Sequence, residues 1–468
     1  MSGEGTGESP DALRERTIRA SLETTLHRDP VQVSRALEVW LHSHWPKAHT
    51  TGLAAPGGSG ASSELFFLDI GGAPFCAGPA PVETVLRLAP TYPVYPVVDL
   101  QLQATCMRAA ARHSAAPVPD VYAVETDPSW LGVPFLLMQR MRGNGAPDWP
   151  SYVLEGWMHA LDSPAQRQLW FNGVEAIAAL HATDLHAAGV GTTHLPAQGA
   201  TALARMLDYW QMYLALIRES GDYPVLEGAV GWLCRQDVAF ETAEGLVWGD
   251  ASLRNMLFEG LRPVALMDFE FAHVGLPVFD IAFYALMDHV MARGFAGGAA
   301  RLPGFASVAE TLDYYESLTG REVRSRDYLL RMALTYMSLA TTRVFQRLAA
   351  RGGSPGRMSR ATRRYACSRK LSPVASCPAD QPASAQVAEH ADLLVDPQRM
   401  IERQRQYSGP SRERRACCAR ADRSTIGEGA RPRRCAVVLR HLVGMEACLA
   451  ADRSRARRRR HPAPEHCC

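Results

Sequence analysis

The chain has 468 residues, 47% of them hydrophobic, enough for one large domain or two lobes with a proper core rather than a wholly disordered polypeptide. No apolar run approaches the roughly 18–20 residues that a bilayer crossing requires, and the opening MSGEGTGESP has neither the basic nor the apolar region of a secretion signal. The net charge of +2 hides two unlike parts: residues 1–350 hold 25 Lys+Arg against 37 Asp+Glu, a net of −12, and residues 351–468 hold 25 against 11, a net of +14. Before residue 351 the cysteines are Cys76, Cys106 and Cys234, which fits a reduced protein without a disulfide framework. The expected location is therefore the cytoplasm.

Residues 1–28 are polar and acidic with no recognisable buried face, and read as a flexible lead-in. The first lobe is placed at 29–141. SELFFLDI (63–70) and TVLRLAP (84–90) read as strands, and the Gly/Pro-rich GGAPFCAGPAP between them reads as a long hairpin loop. A helix is expected across Asp99–Arg112, followed by strands at VYAVETD (121–127) and PFLLMQRM (134–141). The outcome is a small sheet with one helix.

After Gly143 the pattern turns helical, and the second lobe is placed at 142–350. Ser163-Pro164 offers an N-cap serine and a proline at the first helical position, ahead of AQRQLWFNGVEAIAALHATDL with apolar residues near helical spacing. Further helices are expected around 201–219, 280–292, 307–319 and 324–350. Among them sit three short apolar runs, Leu246–Trp248, Met256–Phe258 and Val264–Met267, too brief for helices. The fold class expected is α+β: a small β-rich lobe, a tight connection, and a larger, mostly helical lobe with a cleft between them. No internal repeat is visible.

Residues 351–468 are a different kind of text. They hold no Trp or Phe, only Tyr365 and Tyr407, eight of the eleven cysteines, and the run Arg457–Arg460. Such a stretch cannot bury much apolar surface, so the expectation is a low-order basic tail. A zinc site is disfavoured because CysCys pairs at irregular intervals lack ligand spacing. A nucleic-acid-binding arm is disfavoured because no aromatic platform accompanies the charge. With 48 Arg and 2 Lys in the chain, a GC-rich coding sequence and a frameshift near 350–360 account best for the change in composition.

The chemistry concentrates in LVWGDASLRNMLFEGLRPVALMDFE, residues 246–270. An acid after the first run, Asp250, an amide five positions on, Asn255, and a second acid after a short hairpin, Asp268, converge if both loops open on one side. Mg²⁺ takes hard oxygen ligands and is commonly held by one or two protein oxygens with phosphate oxygens and water. Asn255 and Asp268 supply such oxygens, and Asp250 is left to receive a hydroxyl proton. Asp and Asn also cap turns, which is the plain alternative for each taken alone.

Here the chain resembles the aminoglycoside phosphotransferase-like small-molecule kinases, relatives of the protein-kinase fold. Their His-Gly-Asp with Asn five residues later is matched by Trp248-Gly249-Asp250 and Asn255, and their Asp-Phe-Glu segment by Asp268-Phe269-Glu270. FAHVGLPVFDIAF toward Asp280, GVPFLLMQRMRGNGAPD, and AIAALHATDL with His181 extend the resemblance over roughly 35–350. It implies a phosphotransferase using ATP or GTP with Mg²⁺ as cofactor, Asp250 as base, and Asn255 and Asp268 as metal ligands. In GGSGASSE (57–64), Gly58, Gly60, Ser62 and Ser63 are candidates to cradle nucleotide phosphates.

Three positions depart from the family pattern. Arg87 stands where the strand lysine belongs, and a guanidinium still brings fixed positive charge to the phosphates. Gln103 replaces the helix glutamate, so at best a neutral amide would bond Arg87. Trp248 replaces the histidine before Gly-Asp and is expected to remove a hydrogen bond that braces the loop. Trp149, Trp157 and Trp170 read as packing rather than stacking platforms, His181 as a core histidine supporting the catalytic loop, and Asp280 as a brace for loops.

The expected partners are nucleotide and a small-molecule hydroxyl acceptor, with no membrane and no nucleic acid. The acidic first 350 residues suit a cationic acceptor such as an aminoglycoside, while the family also takes macrolides, choline, sugars and hydroxyacyl thioesters. The alternative is a catalytically inactive nucleotide-binding protein of the same fold.

Overall fold

The computed structural model describes residues 28–56, 63–147, 151–238, 244–292, 296 and 299–351. The lead-in through residue 27, the basic tail from 352, Trp149, and the loop residues Gly58, Gly60 and Ser62 lie outside them.

The first lobe begins with α1 (Pro30–His44), which the sequence reading did not anticipate. Asp29 caps it by accepting from the Val31 amide, and Pro30 fits the first turn, where no amide is needed. Val33, Leu37, Trp40 and Leu41 form its buried stripe, and the Trp40 indole donates to Glu125 at 2.8 Å. Then come β1 (His49–Ala54), β2 (Glu64–Gly71), β3 (Val82–Leu88), α2 (Leu100–His113), β4 (Val121–Glu125) and β5 (Phe135–Gln139). The sheet is antiparallel in the order β1-β2-β3-β5-β4. Period-two alternation sends Phe66, Leu68 and Ile70 of β2 inward. There they meet Leu86 and Leu88 of β3, Phe135 and Leu137 of β5, and Leu37 and Trp40 of α1. The strands and helix expected here are present within two residues of their predicted ends, with Asp99 as the N-cap of α2.

The connection runs through β6 (Asn144–Gly145) into the helical lobe, with α3 (Ser163–His181), α4 (Ala202–Arg218) and α5 (Pro224–Arg235). The cap of α3 is Asp162, accepting from the Ala165 amide at 2.8 Å, one residue earlier than Ser163. A carboxylate at that position also suits the positive end of the helix. Helix α5 was missed, although Pro224 and the stripe Leu226, Val230, Leu233 signal it.

The stretch around residues 246–270 is built from β7 (Gly245–Val247), a 3₁₀ turn at Leu253–Asn255, β8 (Met256–Glu259), β9 (Arg262–Leu266) and β10 (His273–Gly275). β6, β8 and β9 make one small sheet, and β7 pairs with β10. The three short apolar runs are therefore strands, as their length demanded. Helices α6 (Val278–Val290), α7 (Val308–Thr319) and α8 (Arg326–Arg351) complete the lobe. All thirteen residues of α6 are buried, so it is the central helix and carries no solvent face. Ser307 and Glu310 form a reciprocal capping box at the start of α7. The architecture is α+β, an antiparallel sheet followed by a mostly helical region. Among the described residues no helix is long and apolar enough to cross a membrane.

Helices α3 and α6 approach closely at Gly173. A Cβ there would lie 2.3 Å from the Tyr284 hydroxyl oxygen, whose proton goes to the Trp170 carbonyl. Gly173→Ala must displace that ring, and a loss of about 1–3 kcal/mol is expected from overpacking, read as a lowered urea midpoint at unchanged slope.

Candidate active site

Asp250 follows β7 through a loop held from below by Asp280. The wholly buried Asp280 carboxylate accepts the Trp248 amide at 2.6 Å and the Gly249 amide at 2.7 Å. His181 Nε2 lies 3.0 Å from the same group, and its Nδ1 lies 2.7 Å from the Tyr315 hydroxyl. Burying a carboxylate is costly unless its lone pairs are filled; here two backbone donors and a histidine fill them. His181 and Asp280 thus support the loop as the sequence reading anticipated.

Gly249 has φ 90°, in the region that favours glycine. A Cβ at that position would come within 2.4 Å of the Phe271 ring. The Gly before Asp250 is therefore required by both backbone and packing. Trp248 corrects an expectation: its indole N–H donates to the Met267 carbonyl at 2.8 Å. The position keeps a bracing bond, and the brace runs to the residue preceding Asp268.

A chain of hydrogen bonds links the three candidate residues. The Asn255 side-chain amide donates to the Asp250 carbonyl at 2.9 Å, and the Asn255 carbonyl accepts the Met267 amide at 2.8 Å. Asp268 comes next, with φ 59°, a left-handed conformation that Asp tolerates better than most side chains. The turn follows β9, which ends at Leu266.

The electrostatics are acidic. Burial first, then repulsion from Asp268, pushes the Asp250 carboxyl up to about 7, while Arg254 and the Asn255 amide pull it the other way. Arg87, on β3 of the other lobe and only 5% exposed, reaches both Asp268, at 2.9 Å, and Glu270. Burial alone would lower the guanidinium's pKa, but Glu270 and Asp268 raise it above its usual value. Ser63 Oγ also donates to Glu270.

These contacts correct a further expectation. Gln103 does not bond Arg87: its amide nitrogen is buried without a partner, and Arg87 prefers two carboxylates, whose charge outcompetes a neutral amide. Ser63 has its hydroxyl committed to Glu270. Glu270 itself was visible in the sequence only as the third letter of the Asp-Phe-Glu segment. Nothing local signals its pairing, because Arg87 lies 183 residues away. The Tyr336 hydroxyl, donating to Tyr95 at 3.1 Å beside this acidic group, was also missed.

His273 is buried, and burial lowers its pKa to about 4, so it is neutral here; its Nδ1 lies 2.8 Å from the Phe271 carbonyl. The Trp170 indole donates to Thr311 inside the core and the Trp157 indole donates to the Gly145 carbonyl, so both are structural.

The donor set fits magnesium. An amide oxygen on Asn255 and a carboxylate on Asp268 are hard ligands, and the Asp268–Glu270 pair already accommodates one full positive charge from Arg87. Among the described residues no group of three or more His, Cys, Asp or Glu could hold a metal ion.

Residues 54–320 match the phosphotransferase enzyme family, APH, and the chain belongs to that family. A crystal structure from Ralstonia eutropha, of a candidate aminoglycoside phosphotransferase, superposes with a TM-score of 0.50 at 21% identity, covering 70% of this chain and 94% of that one. Curated relatives include the probable acyl-CoA dehydrogenase IBR3 of Arabidopsis thaliana, 26% identical over 65% of this chain and 37% of that protein. Acyl-CoA dehydrogenase family member 11 of Homo sapiens is 23% identical over 66% of this chain and 38% of that protein. The chain spans little more than a third of the length of these relatives.

Two tests follow from the loop. Asp280→Asn turns one of the bridging oxygens into a donor facing backbone donors, and should lower stability by about 2–4 kcal/mol in urea denaturation. Asp250 has a folded pKa raised above that of the unfolded chain, so its contribution to stability is full below about pH 4 and is lost as pH rises through about 7. Asp250→Asn should therefore be more stable than the wild type at pH 8, by about 1–2 kcal/mol after allowing for partial exposure, and the gap should close toward pH 4.

Proposed function

We propose that the protein is a small-molecule kinase that moves the γ-phosphate of ATP or GTP to an acceptor hydroxyl. The observation that supports this reading is the hydrogen bonding that ties the Asp250–Asn255 loop to the residue before Asp268: the Asn255 side-chain amide donates to the Asp250 main-chain carbonyl, and the Asn255 main-chain carbonyl accepts the Met267 amide. In this reading Asn255 and Asp268 would hold Mg²⁺, which when bound neutralises charge on the β- and γ-phosphates.

Asp250 orients the acceptor hydroxyl and takes its proton as the acceptor oxygen bonds the γ-phosphorus. The bond from that phosphorus to the bridging oxygen breaks, and ADP or GDP leaves. Asp280 and the Trp248 indole keep the base and the Asp268 turn in register, which supplies the positioning on which phosphoryl transfer depends. Arg87 brings positive charge from the first lobe, and its buried Nε has no protein partner, a donor that a phosphate oxygen would satisfy. Gly58, Gly60 and Ser62 remain proposed as the phosphate-facing loop, with Ser63 acting through Glu270.

The acceptor class is open to direct assay. The curated relatives bear acyl-CoA dehydrogenase names, which places hydroxyacyl thioesters beside aminoglycosides, macrolides, choline and sugars in the panel. The cytoplasm is the proposed location: Cys76, Cys106 and Cys234 are thiols, and nucleotide is abundant there.

The experiment is nucleotide consumption across that panel with Mg²⁺, comparing the wild type with Asp250→Ala. At least one acceptor should raise turnover, and the variant should lose about 10²–10⁴-fold in rate. Nucleotide binding without any acceptor-dependent turnover would favour a binding protein of the same fold. The acid limb of kcat/KM for nucleotide should rise through about pH 7, because the free enzyme must ionise Asp250.

A further inference from the structure

The fold places a cation, Arg87, in the first lobe with no acidic partner on α2. Gln103, at the position where that helix could have offered one, is neutral, and its amide nitrogen is buried and unpartnered. A guanidinium only 6% exposed at its side chain cannot stand alone, since an unpaired buried charge is far costlier than a paired one. Its charge is met instead from the other lobe, by Asp268 and Glu270 together.

The two carboxylates differ. Asp268 is 33% exposed at its side chain, while Glu270 is 8% exposed. Glu270 is further held by the Ser63 hydroxyl, at the edge of the glycine-rich loop. Asp268 is the group the kinase reading assigns to the metal, and a carboxylate engaged there is less able to neutralise Arg87. Glu270 is two residues removed, locked by two partners from the first lobe, and has no other assigned task.

We propose that Glu270 is a positioning residue for nucleotide: it fixes Arg87 from across the lobe boundary, in the role an acidic residue on α2 would otherwise fill. The inference rests on the kinase reading of the site and deepens it. Its consequence is that the phosphate-facing cation and the metal-facing segment are set by one ion pair. The nucleotide subsite is therefore coupled to the turn that presents Asp268.

The test is a double-substitution cycle, Arg87→Met and Glu270→Gln, read by calorimetric titration of ADP with Mg²⁺ into the full chain. Glu270→Gln should weaken ADP binding by about tenfold or more. In the Arg87→Met background the same change should alter affinity less than about twofold, because Glu270 acts through Arg87. Glu270→Asp, which keeps the charge, should retain more of the ADP affinity than Glu270→Gln, and Glu270→Ala provides the loss comparison where Glu270→Gln does not fold.

Unchanged ADP affinity in Glu270→Gln, or an equal loss in both backgrounds, would overturn the proposal. Failure of the kinase reading looks different: the wild type binds ADP with the coupling described, yet phosphorylates no acceptor. A wild type that binds no ADP overturns both.

Discussion

A single buried carboxylate, Asp280, fixes the backbone on which the rest of the site depends. It sits in the first turn of α6, a helix with no solvent face, and spends its lone pairs on the amides of Trp248 and Gly249 and on His181. Because α6 is central to the core, the carboxylate cannot move without moving the lobe. The residue after those two amides is Asp250. A rigid helix therefore determines where Asp250 stands, through bonds too buried for water to replace.

A second layer of order runs across the site. Trp248 reaches Met267 with its indole, Asn255 takes the Met267 amide on its carbonyl, and Asp268 turns out of the strand at a left-handed angle. From the other lobe Arg87 and Ser63 close on Asp268 and Glu270. Two carboxylates, Asp268 and Glu270, thus meet one buried guanidinium, and both also act on Asp250. Burial and the repulsion from Asp268 raise Asp250 to about 7, a range in which a carboxyl exchanges protons near neutral pH. They are also a liability for stability, a trade commonly concentrated at functional sites.

Much of the frame was legible because it is written locally. Asp99 and Thr201 announce helix starts, Gly320 follows the last turn of α7, and the alternation in ELFFLDIG marks β2. The shift of the α3 cap from Ser163 to Asp162 shows the limit of such signals, since two good capping residues stand side by side. Helices α1 and α5 were missed although each opens on a proline and carries a buried stripe.

The sequence by itself determined the order of elements, the α+β class, and the identity of Asp250, Asn255 and Asp268 as the residues to watch, because spacing within a loop or hairpin is a local property. Only the tertiary structure decided what Arg87 faces, that Trp248 supplies a brace, and that Gln103 leaves Arg87 to the carboxylates of the other lobe. Those outcomes turn on charge and burial between segments that are distant along the chain. Attraction of a buried guanidinium to two carboxylates on the far lobe is a fact of three-dimensional packing that no window of residues contains.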